Sequence, residues 1–376
     1  MNDSYYKKIA IIFITSIVAF VALNFIISDK DFSNSENRVL TKKPKFTVER
    51  LFDGRYFKKY EKYKTDQFVG RDLFIGVKAT SDLVLGKKNS NDVFYANNGY
   101  LIEDFKPSNE DIKNNIDAIN TFATKFKDTN IYTTIIPTAI NIYDDKLPDL
   151  VDSSKQETYI NEFYKKLNKN IKTIPLTDIF NKNSSESLFY RTDHHYTSLS
   201  AYTTYLEIKK TLNLKEDIKF KPYTVSNSFN GTLASKSGFR TSLTDSIEIY
   251  LPDNSDIKTS VNYLESQKKS ASLYNFDKLD TKDKYGIFLD GNHPIIDINT
   301  TVINNKKLLI LKDSYANSLI PFLVHHYNKI TVVDPRYYYG DLHKLINDNK
   351  FDDTLILYNA NTFFSDNSLS SVLNNE

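Results

Sequence analysis

The chain has six histidines, and two of them stand beside an acid in Tyr190-Arg191-Thr192-Asp193-His194-His195-Tyr196-Thr197. An aspartate two residues before a histidine can share one side of an extended or turning backbone with it. There a carboxylate on Asp193 would fix the tautomer of His195, stabilise its protonated ring and leave the second ring nitrogen to accept a proton. The helix expected after Thr197 would lower the pKa of His195 while Asp193 raises it, and the residues alone leave that balance open. A hydroxyl to surrender the proton lies in Leu308-Leu309-Ile310-Leu311-Lys312-Asp313-Ser314-Tyr315, which reads as a buried strand running into a sharp turn. Asp193, His195 and Ser314 are the three groups of a Ser-His-Asp hydrolytic or acyl-transfer site, a constellation defined by geometry and not by chain order. The backbone N–H groups of Ser314 and Tyr315, in the first turn of a following helix, are expected to face solvent as an oxyanion hole.

Plainer readings stand beside these. Asp313 and Ser314 are both good helix N-caps, a histidine can be an ordinary hydrogen-bonded residue, and His194 is expected to project away from His195 in a structural role. The rival chemistry is a metal centre, because Asp193, His194 and His195 with His325 and His326 supply enough ligands for zinc or manganese. Adjacent histidines do not easily bind one ion, and no HExxH or Asp-x-Asp motif supports them, so no metal and no cofactor is expected.

The elements that must position these groups follow from periodicity. Ile131 to Ile136 is rich in β-branched residues and closes on Pro137, and strands are also expected near 171–176, 308–312, 329–333 and 354–358. Between them Ser108 caps a helix carrying Ile112, Ile116, Ile119, Ala123 and Phe126 on one face, and further helices are expected at 157–169, after Thr197, and over 315–327. Strands separated by helices imply a parallel sheet covered on both faces. Residues 215–300 break the rhythm and read as an insertion of short strands and loops. Phe57, Tyr60, Tyr63 and Phe68 alternate with charges through to Leu73 and Phe74, and this pattern predicts one amphipathic helix packed on the main domain.

Composition sets the class. Forty per cent hydrophobic and 26% charged residues are globular values, and 49 basic against 47 acidic residues leave no broad field for nucleic acid. The lack of cysteine removes disulfides, thiol catalysis and thiolate metal sites. Ile9 to Ile27 carries no charge and has about the length that a bilayer-crossing helix needs. Lys7 and Lys8 before it place the N-terminus in the cytoplasm by the positive-inside bias. The expected order is a cytoplasmic tail (1–8), a single-pass anchor (9–28), a polar stalk (29–50) and an extracytoplasmic domain (51–376). A cleaved signal peptide is the alternative, although no small-x-small site follows the run.

Asp193-His194-His195-Tyr196 resembles the signature of the DHHW proteins, related to the alginate O-acetyltransferase-like group of SGNH hydrolase-fold enzymes. Further blocks resemble the family in order: Ser35-Glu36-Asn37-Arg38, Asp66 to Arg71, Pro137 with Tyr143 and Pro148, Gly291-Asn292-His293-Pro294, and Lys312 to Ser318. The resemblance implies an α/β/α sandwich with a parallel sheet and a permuted motif order, in which Ser314 is nucleophile, His195 base and Asp193 orienting acid. It adds Tyr315, Asn317 and Arg336 as substrate or oxyanion contacts. Tyr196 replaces the signature Trp, and Lys312 stands where SGNH serine motifs have Gly. The implied function is serine-dependent O-acetyl transfer to, or acetyl-ester hydrolysis on, a cell-envelope polysaccharide. A multipass membrane O-acyltransferase is the implied partner for transfer. A metal-dependent DHH-type phosphoesterase and a non-catalytic envelope scaffold are the alternatives.

Overall fold

Leu308, Leu309, Ile310 and Leu311 are apolar on both sides of a strand, and all four are fully buried inside an eight-stranded sheet. The computed structural model describes residues 3–33, 38–239, 241, 243–253 and 255–375. Of the expected motif blocks, Ser35, Glu36 and Asn37 lie outside the described residues. The chain divides into two compact units, Met1–Ser90 with Ser235–Arg240, and Asn91–Ala234 with Thr241–Glu376.

The second unit holds the sheet. Its strands are β1 (Asn130–Ile136), β2 (Lys172–Thr173), β3 (Thr259–Tyr263), β4 (Lys268–Ser270), β5 (Ile295–Thr300), β6 (Lys307–Lys312), β7 (Lys329–Val333) and β8 (Asp353–Asn359), in the order β4-β3-β5-β7-β6-β8-β1-β2. The pairs β7/β6, β6/β8, β8/β1 and β1/β2 are parallel, as alternation with helices requires. Helices Asn109–Lys125, Leu342–Asn349 and Ser368–Leu373 pack together, and Ser198–Thr211 packs with Ile320–Leu323, so that the parallel strands form the middle layer of an α/β/α sandwich. The α/β architecture with a largely parallel sheet expected from the sequence is present.

Residues 215–300 do more than decorate this core. A ribbon of Phe220–Phe229 against Asp245–Pro252 precedes β3, β4 and β5, which extend the sheet by antiparallel pairing. The alternation in Ile295-Ile296-Asp297-Ile298 explains this, since Ile296 and Ile298 point into the core together with Val261. Two expected elements are shorter than the pattern implied. The strand near 171–176 keeps two residues, Lys172–Thr173. In place of a helix over 315–327 there is a 3-10 turn, Ser314–Ser318, then Ile320–Leu323 with Pro321 in its first turn.

The first unit begins with helix Asp3–Ile26, whose segment Ser4–Ile26 is, among the described residues, the one helix long and apolar enough to cross a membrane. Behind the short helix Val48–Phe52, the single amphipathic helix expected after Phe52 is two helices, Arg55–Asp66 and Arg71–Val84, within this unit. Gly54 and Gly70, each at φ +75°, cap these two, a left-handed conformation that stops a helix and favours glycine. Lys30 and Thr41 of the polar segment 29–50 are held within the unit by Asp66 and Gln67. Asp66 Oδ2 accepts from the Thr41 N–H at 2.9 Å, and the Gln67 amide bonds both backbone groups of Lys30 at 2.9 Å.

Candidate active site

Residues 190–195 form a closed loop, with Tyr190 N–H donating to the His195 carbonyl at 3.2 Å. Asp245 holds its near side. One carboxylate oxygen accepts from Arg191 N at 2.8 Å, and the other accepts from Thr192 N at 2.9 Å and Thr192 Oγ1 at 2.6 Å. Thr192 in turn accepts from Gly231 N at 2.9 Å through its hydroxyl, and its carbonyl accepts from Leu233 and Ala234 N–H at 3.1 Å. The loop thus has little freedom at the point where it presents Asp193.

Asp193, His195 and Ser314 meet. His195 Nδ1 lies 2.6 Å from Asp193 Oδ1, and His195 Nε2 lies 2.8 Å from Ser314 Oγ, although 119 residues separate the last two. The carboxylate is fully engaged: Oδ1 also accepts from the His195 backbone N–H at 3.0 Å, and Oδ2 accepts from Thr232 N at 2.7 Å and Thr232 Oγ1 at 2.9 Å. Tyr285 stacks on the imidazole with ring centroids 3.7 Å apart and 13° between planes, and its hydroxyl reaches the Ser314 carbonyl at 3.2 Å and Ser318 Oγ at 3.1 Å. His194 does not project away as expected. Its ring centroid lies 3.9 Å from that of His195, because Nδ1 bonds Thr232 Oγ1 at 2.7 Å.

On the serine side the structure departs from the expected oxyanion hole. Tyr315 N–H is occupied by the Asp313 side chain at 3.0 Å, an N-cap bond, and the Tyr315 ring is buried, stacked on Tyr196 with its hydroxyl on the His194 carbonyl. Tyr315 therefore supports the relay from behind and offers neither its amide nor its hydroxyl to a substrate. Lys312 does not block the serine: its buried ammonium bonds Asn317 Oδ1 at 2.8 Å, Asp334 Oδ2 at 3.1 Å and Asn292 Oδ1 at 3.2 Å. Asn317 Nδ2 donates to Asn292 Oδ1 at 3.1 Å, and Arg336 grips Asp334 through Nε at 2.9 Å and a terminal nitrogen at 2.7 Å. Asn317 and Arg336 are thus committed to a buried ionic network beside the serine turn.

Burial governs the ionisation of the site. It pushes His195 down to about 4, with the nearby His194 adding to the shift and Asp193 opposing it, so the imidazole is neutral at physiological pH. Burial also opposes the charge on Asp193, but His194 and His195 beside it and the hydrogen bonds from His195 and Thr232 hold its carboxyl far below the usual range. Asp313 has less help and is pushed up by burial to about 6. A neutral imidazole between an ionised carboxylate and a hydroxyl is the arrangement that general-base activation of that hydroxyl requires.

The metal reading loses its wider ligand set. His326 bonds Tyr205 Oη at 2.8 Å and Glu216 Oε2 at 3.1 Å, and His325 bonds Ser255 Oγ at 3.0 Å. Asp193, His194 and His195 remain the one clustered donor group among the described residues. Four donors already occupy the Asp193 oxygens, and both His195 nitrogens are in use, so an ion there would have to break the relay.

Gly231, Thr232, Asp245 and Tyr285 were not singled out from the sequence. A glycine before a hydroxyl residue, in a chain with ten glycines, was a usable signal for Gly231-Thr232, whereas nothing local marks Tyr285. A Cβ on Gly231 would lie 2.2 Å from Asp193 Cβ and 2.7 Å from its Cα. Gly231→Ala is therefore expected to push the Thr232 amide off the carboxylate and to lower turnover by about 10²-fold or more. Wild-type rates in folded Gly231→Ala protein, checked by thermal melting and circular dichroism, would contradict that close approach.

The family model for the DHHW protein matches residues 94–333. Among solved structures, a DHHW family protein from Eubacterium siraeum superposes with a TM-score of 0.65 at 22% identity, covering 75% of this chain and 95% of that one. Bacillus cereus PatB1 with a sulfonyl adduct gives 0.61 at 21% identity, covering 73% and 97%. The O-acetyltransferase domain of Pseudomonas putida AlgJ gives 0.45 at 14% identity, covering 74% and 94%. No curated protein matches the chain in sequence.

Proposed function

The chain belongs to the DHHW family, and on that premise we propose that it is a serine-dependent O-acetyltransferase or acetylesterase acting outside the cytoplasm on a cell-envelope polysaccharide. One observation carries the reading: the unbroken hydrogen-bonded series from Asp193 through His195 to Ser314, at 2.6 and 2.8 Å. Ser314 Oγ attacks an acetyl carbonyl while its proton passes to His195 Nε2, and Asp193 stabilises the imidazolium. The Oγ–C bond forms, the bond to the leaving oxygen breaks, and the proton on His195 goes to that oxygen. A second hydroxyl, from a sugar or from water, then reverses these steps on acyl-Ser314, so transfer and hydrolysis share one machinery. Ser314 N–H travels with the nucleophile and serves the oxyanion. Helix Asp3–Ile26 anchors the chain with Lys7 and Lys8 on the cytoplasmic side, and acyl groups from the cytoplasm reach the site through a multipass membrane partner.

The Bacillus cereus PatB1 structure holds a sulfonyl adduct, and the same reagent class tests this chain. An aryl or alkyl sulfonyl fluoride should add one sulfonyl group at Ser314, with loss of fluoride, read by intact mass and peptide mapping. His195→Ala should slow that labelling by about 10³-fold. Modification elsewhere, or equal labelling of His195→Ala, would remove the activated serine from the proposal.

A further inference from the structure

Helix Arg71–Val84 carries its apolar residues on the wrong side for a water-facing helix. Gly76 and Ala79 are buried, while Leu73 (65% exposed), Val77 (54%) and Val84 (82%) lie outward at i, i+4 and i+11, flanked by Phe74 and Leu85. Those spacings return to one helical face. Lys78 and Asp82, paired at 2.8 Å, sit off this stripe.

What covers the stripe is indicated by its own unit. Phe74 and Phe68 pack on Phe20 of helix Asp3–Ile26 at 5.9 and 6.4 Å between centroids, and Val69 N–H donates to Asn24 Oδ1 at 3.1 Å. Phe20 precedes Ile27, the end of the apolar run, by seven positions. At ~1.5 Å per residue this is roughly 10 Å, a third of a hydrocarbon layer of about 30 Å. Anything packed on Phe20 is at that depth whenever the helix crosses a bilayer, and roughly 5–10 Å is where interfacial helices bury their apolar face. Lys64, with its ammonium 5.1 Å from the Phe25 ring centroid, then falls near headgroup level.

We infer that Phe68, Phe74 and the Leu73–Val77–Val84 face of helix Arg71–Val84 rest in the lipid of the bilayer that helix Asp3–Ile26 crosses, giving the chain a second, interfacial membrane contact. The inference rests on the anchor reading and is independent of the serine chemistry.

The cysteine-free sequence allows clean single labels. Full-length Ile17→Cys, Val77→Cys, Val84→Cys and Lys78→Cys, each carrying an environment-sensitive fluorophore, are reconstituted in phosphatidylethanolamine and phosphatidylglycerol vesicles. They are then quenched by nitroxide lipids or by aqueous iodide. Labels at Val77 and Val84 are expected to follow Ile17, with lipid-borne quenching at least about two-fold above that at Lys78. If Ile17 is in lipid while Val77 and Val84 behave as Lys78 does, the interfacial contact is wrong and the anchor stands. Protection of Val77 and Val84 from both quenchers means that protein covers the face, and this also overturns the inference. If Ile17 itself is quenched from water, the anchor reading falls first.

Discussion

In Ser314→Ala protein, turnover of an aryl acetate is expected to fall by a factor on the order of 10⁵–10⁶, leaving only the residual rate that binding and oxyanion contacts supply. The side chain is nearly isosteric and its neighbours are satisfied without it: Tyr285 bonds the Ser314 carbonyl, and His195 keeps Asp193. The fold should therefore persist, and the loss should appear in kcat with little change in substrate binding. Burst kinetics with wild-type protein and their absence in the variant would locate the acyl group. Full activity in folded Ser314→Ala would end the covalent mechanism.

Asp193→Asn is expected to cost about 10³–10⁴-fold in kcat, for a reason visible in the hydrogen bonds. Each carboxylate oxygen accepts from a backbone N–H that cannot turn away, His195 N on Oδ1 and Thr232 N on Oδ2. An amide placed either way sets its NH₂ against one of them. The orientation that satisfies Thr232 aims the NH₂ at His195 Nδ1, forcing the ring proton onto Nε2, where it faces Ser314 and cannot accept a proton. The pH profile gives a second reading. Burial holds His195 at about 4, so the wild-type imidazole is neutral above that value. Wild-type kcat/KM should be level through neutral pH and fall as pH drops through about 4. A single acid limb near the ordinary histidine value would contradict a buried, neutral base.

Legibility in the sequence followed the range of the interactions. Strand 307–312 and helix 109–125 with its Ser108 cap were readable because burial on both faces of a strand, and on one face of a helix, writes a local period. Asp193 and His195 were readable because two residues of spacing already permit the contact. The helix expected over 315–327 was not, since Asp313 caps a 3-10 turn over Ser314–Ser318 and Pro321 restarts the chain in a separate short helix. The break of one amphipathic pattern at Gly70 was written in the glycine but masked by the continuing aromatic spacing.

By itself the sequence determined the sandwich of parallel strands, the apolar N-terminal helix, the three reactive side-chain types and the family. Tertiary structure alone decided which groups surround them: Thr232 and Gly231 against Asp193, Tyr285 over His195, and Asn317 and Arg336 joined with Lys312 and Asp334. The physical reason is that periodicity records only which side of an element is buried. The partner met on that side arrives from far along the chain and leaves no trace in the local pattern.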